Sequence, residues 1–349
     1  MADDVIDWDL ALATGTRLSP KGPVLSLEEA KASVAVLREQ AHEAVGHVRE
    51  CTQLVAPEDA PDAAVVDRSV WIDSNLESFR HVLHPVLDRL RTSSSSAVVT
   101  GIGSRLTAVQ MGGVLAWMSG KVLGQYEALV PAREAPRLML VAPNIIGVAD
   151  QLGVDRGEFG LWVCLHEETH RVQFTAVDWL SDYFAEQTRE LVAAVDVPAK
   201  EMLRHSKALL AALSKVLRGA EGANAVFMAV LSEEQRRVYD RISALMTLLE
   251  GHADVVMDEV GPGAVPSVAL IRERFDRRRN EPGAFDSVAR KVFGMDAKLR
   301  QYSEGALFVR AVVDEVGMQG FNQIWTDPST LPTLPEIETP ALWIKRVHA

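Results

Sequence analysis

The chain has 349 residues, 48% of them hydrophobic and 24% charged, the balance of an ordinary globular protein and not of a disordered one. A formal net charge of -12 weighs against a nucleic-acid surface, which needs clustered Lys and Arg to displace counterions. The N-terminal MADDVIDWDL lacks the basic and apolar regions of a secretion signal, no window approaches the roughly 18 apolar residues of a membrane helix, and Cys51 and Cys164 are too few for a disulfide framework. The expectation is a cytoplasmic protein outside the membrane.

Most of the chain carries helical periodicity. Ser26 and Glu29 form a capping-box pattern, after which Leu27, Ala30, Val34, Leu37, Ala41, Val45 and Val48 recur at three- and four-residue steps. APEDAPDAA breaks that helix, and VDRSVWIDSNLESFRHVLHPVLDRL predicts the next, with a bend at Pro85. TSSSS, residues 92 to 96, reads as a loop. From residue 104 to 129 helical spacing persists despite four glycines, which points to close helix packing. RLMLVAPNI, short, apolar and interrupted by proline, is the strand candidate. A single strand is not stable alone, so partners must lie in segments without an obvious strand pattern.

Asp155 and Glu158 cap a further helix. PAKEMLRHSKALLAALSKVLRG reads as another, followed by the loop GAEGA, and Ser232 with Gln235 caps a long helix through residue 260. The run Arg272, Arg274, Arg277, Arg278 and Arg279 is interleaved with Glu273, Asp276 and Glu281 and reads as a solvated helix face. Asp296 opens a helix that Gly317 stops, and the four prolines between Asp327 and Pro340 suggest an extended tail wrapped over the surface.

The helix after Asp155 contains VCLHEETHRVQF, residues 163 to 174, with the pattern H-E-x-x-H. Residues four apart differ by about 40° around a helix, so His166 and His170 project from one face and can share a cation. Glu167 borders that face and can reach a metal-held water, an arrangement suited to zinc (Zn²⁺) hydrolysis. Phe159, Val163 and Val177 continue the same stripe, which turns both histidines inward, where they need polar partners or a metal. Two satisfied core histidines are the competing interpretation.

A catalytic zinc needs a third protein ligand. LLEGHADVVMD, residues 248 to 258, offers Glu250 and Asp254 on one face beside Met246 and Met257. Glu250 is assigned to the metal and Asp254 to the free ring nitrogen of a ligand histidine. His252 is the rival ligand, about 200° around the helix from Glu250; the second carboxylate favours Glu250. Cys164 points away from His166 and reads as a small core residue. Tyr302 could donate to a developing oxyanion or simply pack, and Arg171 could bind a substrate carboxylate or be a surface charge.

Together His166, Glu167, His170, Glu250 and Asp254 resemble the gluzincin pattern of zincin metallopeptidases, H-E-x-x-H followed on a later helix by E-x-x-x-D. Glu168 departs from the stricter signature, which prefers an uncharged residue there. From VIDWDLALATGTRL through DRSVWIDSN and GQYEAL to YSEGALFVRAVVDEVG, the chain is similar to the zincin-like metallopeptidase type 2 family, long associated with biosynthesis of the deazaflavin coenzyme. The resemblance implies a mainly α (α+β) zincin-like fold of long helices, with a small sheet beside the H-E-x-x-H helix, and a zinc site. It implies one unit over residues 1–349, or two lobes: 1–190 carrying H-E-x-x-H and 191–349 carrying the third ligand. The expected function is hydrolysis of a peptide or protein substrate with Glu167 as general base. The alternative is a metal-stabilised helical scaffold that binds a partner and hydrolyses nothing.

Overall fold

In the computed structural model of the protein, residues 5–57, 62–93, 97–129, 136–193, 232–280 and 295–348 are described. They form two compact units that the chain enters more than once. The first comprises Met1–Cys51, Val55–Ala176 and Val260–Ile271, the second Thr52–Leu54, Val177–Glu259 and Arg272–Ala349. The helical segment expected from residue 198 to 219 and the GAEGA loop lie outside the described residues.

The first unit opens with α1 (Trp8–Leu18) and α2 (Leu27–Thr52). The Ser26 box is formed: the Ser26 amide donates to Glu29 Oε2 at 2.7 Å, and the Glu29 amide donates to Ser26 Oγ at 3.2 Å. α3 (Arg68–Ser93) continues across Pro85, and α4 (Ala97–Ser119) follows. α1 crosses α4 so closely that a Cβ on Gly112 would come within 2.4 Å of the Ala11 carbonyl oxygen. Part of the glycine-rich 104–129 segment therefore serves close packing, as its spacing suggested. The helical expectation overshoots, however: α4 stops at Ser119, Gly120 sits against Pro20 where a Cβ would be 2.6 Å from the proline Cγ, and a strand follows.

That strand, β2 (Gly124–Tyr126), and β1 (Ala64–Val66) are the partners the strand candidate required. The sheet order is β1-β3-β2, with β3 (Leu138–Val141) central. β1 runs parallel to β3 in register Val65↔Leu140, and β2 antiparallel in register Gln125↔Met139. RLMLVAPNI is thus half strand. At Ala142 it turns into α5 (Ala142–Leu152), with Pro143 in the first turn, where its missing N–H costs nothing. α5 ends on left-handed Gly153 at φ 63°, and Asp155 Oδ1 accepts from the Glu158 amide at 2.9 Å to start α6 (Arg156–Ala176).

The sheet lies between α3 and α6. On one face Trp71 Nε1 of α3 donates to Gln125 Oε1 at 2.8 Å; on the other the Tyr126 ring stacks on Phe174 of α6. Ile6, Ala11, Trp71, Ile72, Leu76, Ala108, Leu115, Met139 and Val141 fill a core between the helices and the sheet.

The second unit contains α7 (Leu180–Ala193), most of α8 (Glu233–Ala264), the end of α9 (Val268–Asn280) and α10 (Met295–Phe321). The Ser232 amide donates to Gln235 Oε1 at 2.6 Å and caps α8 as expected. α8 and α10 cross at two glycines: a Cβ on Gly305 would lie 2.0 Å from the Thr247 carbonyl oxygen. Gly317, with φ 72° and ψ 170°, breaks α10 where the sequence indicates a stop, but helical turns resume to Phe321.

Two expectations need correction here. Arg272 is not on a solvated face: Nη1 lies 3.1 Å from Asp254 Oδ1 and Nε 2.7 Å from Asp258 Oδ1. Arg277, paired with exposed Glu273 at 2.6 Å, does fit that description. The tail is not an extended wrap either. A 3₁₀ turn at Pro328–Thr330, α11 (Leu334–Glu338) and α12 (Pro340–Val347) each carry a proline in the first turn, the one helical position that suits it. Among the described residues no helix is long and apolar enough to cross a membrane.

Candidate metal centre

α6 is buried more completely than an amphipathic stripe requires, with Phe159 through Leu165 all in the interior. His166 and His170 are half-buried on it. Their Nε2 atoms face each other at 3.2 Å, and the rings stand nearly perpendicular, at 88° with centroids 4.7 Å apart. Two nitrogens each about 2.05 Å from a tetrahedral zinc lie about 3.3 Å apart, so this spacing fits one shared ion. The second nitrogen of His170, Nδ1, bonds Gln173 Oε1 at 2.9 Å. With the amide oxygen as acceptor, Nδ1 carries the proton and Nε2 keeps its lone pair free for a metal. Gln173, wholly buried one turn further on, was not singled out in the sequence. Its position three residues after the second histidine was the available signal.

Glu167 is buried, and β2 lies against it: a Cβ on Gly124 would be 2.5 Å from Glu167 Cγ and 2.9 Å from Oε1. Only glycine lets the strand backbone approach the carboxylate this closely. Glu168, the departure from the stricter signature, is accommodated by an ion pair. Arg171 Nε and Nη2 donate to its two oxygens at 2.7 and 2.8 Å, and burial pushes its carboxyl pKa up against the opposing pull of Arg171. Arg171 is thereby a partially buried structural cation instead of a surface charge. Cys164 is buried, with Sγ 4.0 Å from the Leu37 carbonyl oxygen, and burial raises its thiol pKa, as suits the core role read from the sequence.

The remaining sequence candidates belong to the second unit. Glu250 is buried on α8. His252 is fully buried and packs on the rings of Phe321 and Trp325 at 5.2 and 5.8 Å. Asp254 accepts from Arg272 Nη1, while the Asp254 carbonyl accepts from Arg272 Nη2 at 2.9 Å. Tyr302 falls on α10, but its side chain lies outside the described residues.

Residues 6–344 match the family model of zincin-like metallopeptidases. The chain is also similar to a crystal structure from Chloroflexus aurantiacus, described as a candidate hydrolase with a novel fold. The two share 31% sequence identity and a TM-score of 0.70, over 98% of this chain and 99% of that one. No curated protein matches the chain.

Proposed function

The chain belongs to the zincin-like metallopeptidase family, and on that premise we propose that it is a zinc-dependent peptidase in which His166, His170 and Glu250 hold the ion and Glu167 is the general base. The observation that carries the reading is the His166–His170 pair, with its Nε2 atoms 3.2 Å apart and His170 fixed in the ligating tautomer by Gln173. Glu250, a buried carboxylate on α8, is the kind of third donor that suits catalytic zinc beside two imidazoles. The ion these residues would hold would supply Lewis acidity toward a carbonyl and make water easier to deprotonate. Glu167 takes the proton of the attacking water and returns it to the leaving amine. Its burial under β2 restricts the carboxylate to a narrow range of positions. Tyr302 keeps in this proposal the role assigned from sequence, donation to the oxyanion; at His170 the orienting bond comes from Gln173, while the Asp254 carboxylate accepts from Arg272.

An extended peptide can bind by adding to a sheet edge. β3 has both edges taken by β1 and β2. β2, paired on one side only among the described residues and touching Glu167, takes that part in the proposal. The test is zinc content measured alongside peptide hydrolysis. Glu167→Gln is expected to keep about one zinc per chain and to lose activity by at least about 100-fold. Glu250→Ala loses the metal, whereas His252→Ala keeps it. Hydrolysis surviving Glu167→Gln, or a metal-free protein purified without chelators, would overturn the reading.

A further inference from the structure

β2 alternates in what it faces. Gly124 and Tyr126 both point to α6, where the Gly124 backbone meets Glu167 and the Tyr126 ring lies 5.6 Å from Phe174, 21° from parallel. Gln125, between them, points to α3 through its bonds with Trp71 and Asn75. Phe174 follows His166 and His170 at a further step of four, so the aromatic pair continues the row of histidines along α6. Both Tyr126 and Phe174 are only half-buried.

Directly opposed residues on neighbouring strands place their side chains on the same face. A peptide added to β2 would therefore put the residue opposite Gly124 over Glu167, unobstructed by any strand side chain. The residue opposite Tyr126, two positions along, would meet the aromatic pair. We propose that Tyr126 and Phe174 form a side-chain subsite selecting an aromatic or large apolar substrate residue two positions from the one lying over Glu167. This rests on the peptidase reading and names the substrate class of the same site. Burial pushes the Tyr126 hydroxyl pKa up to about 12, opposed by Arg171 and reinforced by Glu127, so the wall stays an uncharged ring at neutral pH.

Dye-labelled positional-scanning hexapeptides test the subsite in two ways: by fluorescence anisotropy on the metal-free full chain, and by mass-spectrometric cleavage with the zinc-loaded chain. At one peptide position Phe or Leu is expected to bind about tenfold more tightly than Ala or Asp. Tyr126→Ala and Phe174→Ala erase that preference, and Tyr126→Phe keeps it. If an alanine variant fails to fold, Phe174→Leu must shift the preference from aromatic toward aliphatic. No positional preference in the wild type, or an unshifted preference in folded variants, overturns the subsite even if Glu167-dependent cleavage stands. Selective binding without cleavage would instead sink the peptidase reading and leave the subsite in place.

Discussion

β3 and β2 are neighbours in one sheet and are specified by opposite means. Every residue of β3, from Leu138 to Val141, is buried, and strands pair with it on both sides. A short apolar run covered on both faces needs little beyond hydrophobic burial to define it. β2 has no such run, and all three of its residues are half-buried. Each instead fits one neighbour: Gly124 the Glu167 side chain, Gln125 the Trp71 and Asn75 side chains, and Tyr126 the Phe174 ring. Hydropathy sets the centre of the sheet, while individual side-chain fits set the edge beside the candidate base.

The sharpest way to break this contrast is to damage each strand separately. Leu140→Ala removes a fully buried side chain and is expected to cost about 2–5 kcal/mol in chemical denaturation. Activity per folded molecule should not change, and a selective loss of activity would show that β3 also serves the site. Gly124→Ala should behave differently. The new Cβ collides with Glu167 Cγ, which costs about 1–3 kcal/mol of overpacking and displaces the proposed base. Peptide hydrolysis is expected to fall about 100-fold with zinc content retained. Full activity in Gly124→Ala would detach the edge strand from the chemistry.

The same division explains what could be read in advance. The caps at Ser26, Asp155 and Ser232 were legible because each uses a local side-chain bond three residues long. β3 was legible from its apolar run, and the facing of His166 and His170 from helical spacing. β1 and β2 were not, because three-residue strands carry no periodicity and are fixed by partners up to 75 positions away in register. Arg272 was misread for a related reason: its partners Asp254 and Asp258 sit on another helix. The proline-rich tail was misread because prolines serve the first turn of short helices as readily as extended chain. Gln173 carried only the signal of its spacing after His170, and the contact of Gly124 with Glu167 joins residues 43 positions apart, which no local pattern records.

The smallest expected effect probes the Gln125 contact directly. Trp71 is almost wholly buried, and its indole N–H donates to Gln125 Oε1, which also accepts from Asn75 Nδ2 at 3.3 Å. Gln125→Leu strands a buried donor and should cost about 1–2 kcal/mol, because the unmet desolvation of the N–H outweighs the modest net value of the bond. Trp71→Phe removes that donor too, but also shrinks a core side chain, so neither single change isolates the contact. A double-mutant cycle in denaturation does, with an expected coupling of about 0.5–1.5 kcal/mol. Because Gln125 lies between Gly124 and Tyr126, losing this contact lets the strand rotate about its one remaining pairing, with β3. The Gln125→Leu variant should therefore weaken discrimination between Phe and Ala peptides while leaving zinc content unchanged. Coupling near zero, with peptide selectivity intact, would mean that pairing to β3 alone orients β2, and the contrast between the two strands would collapse.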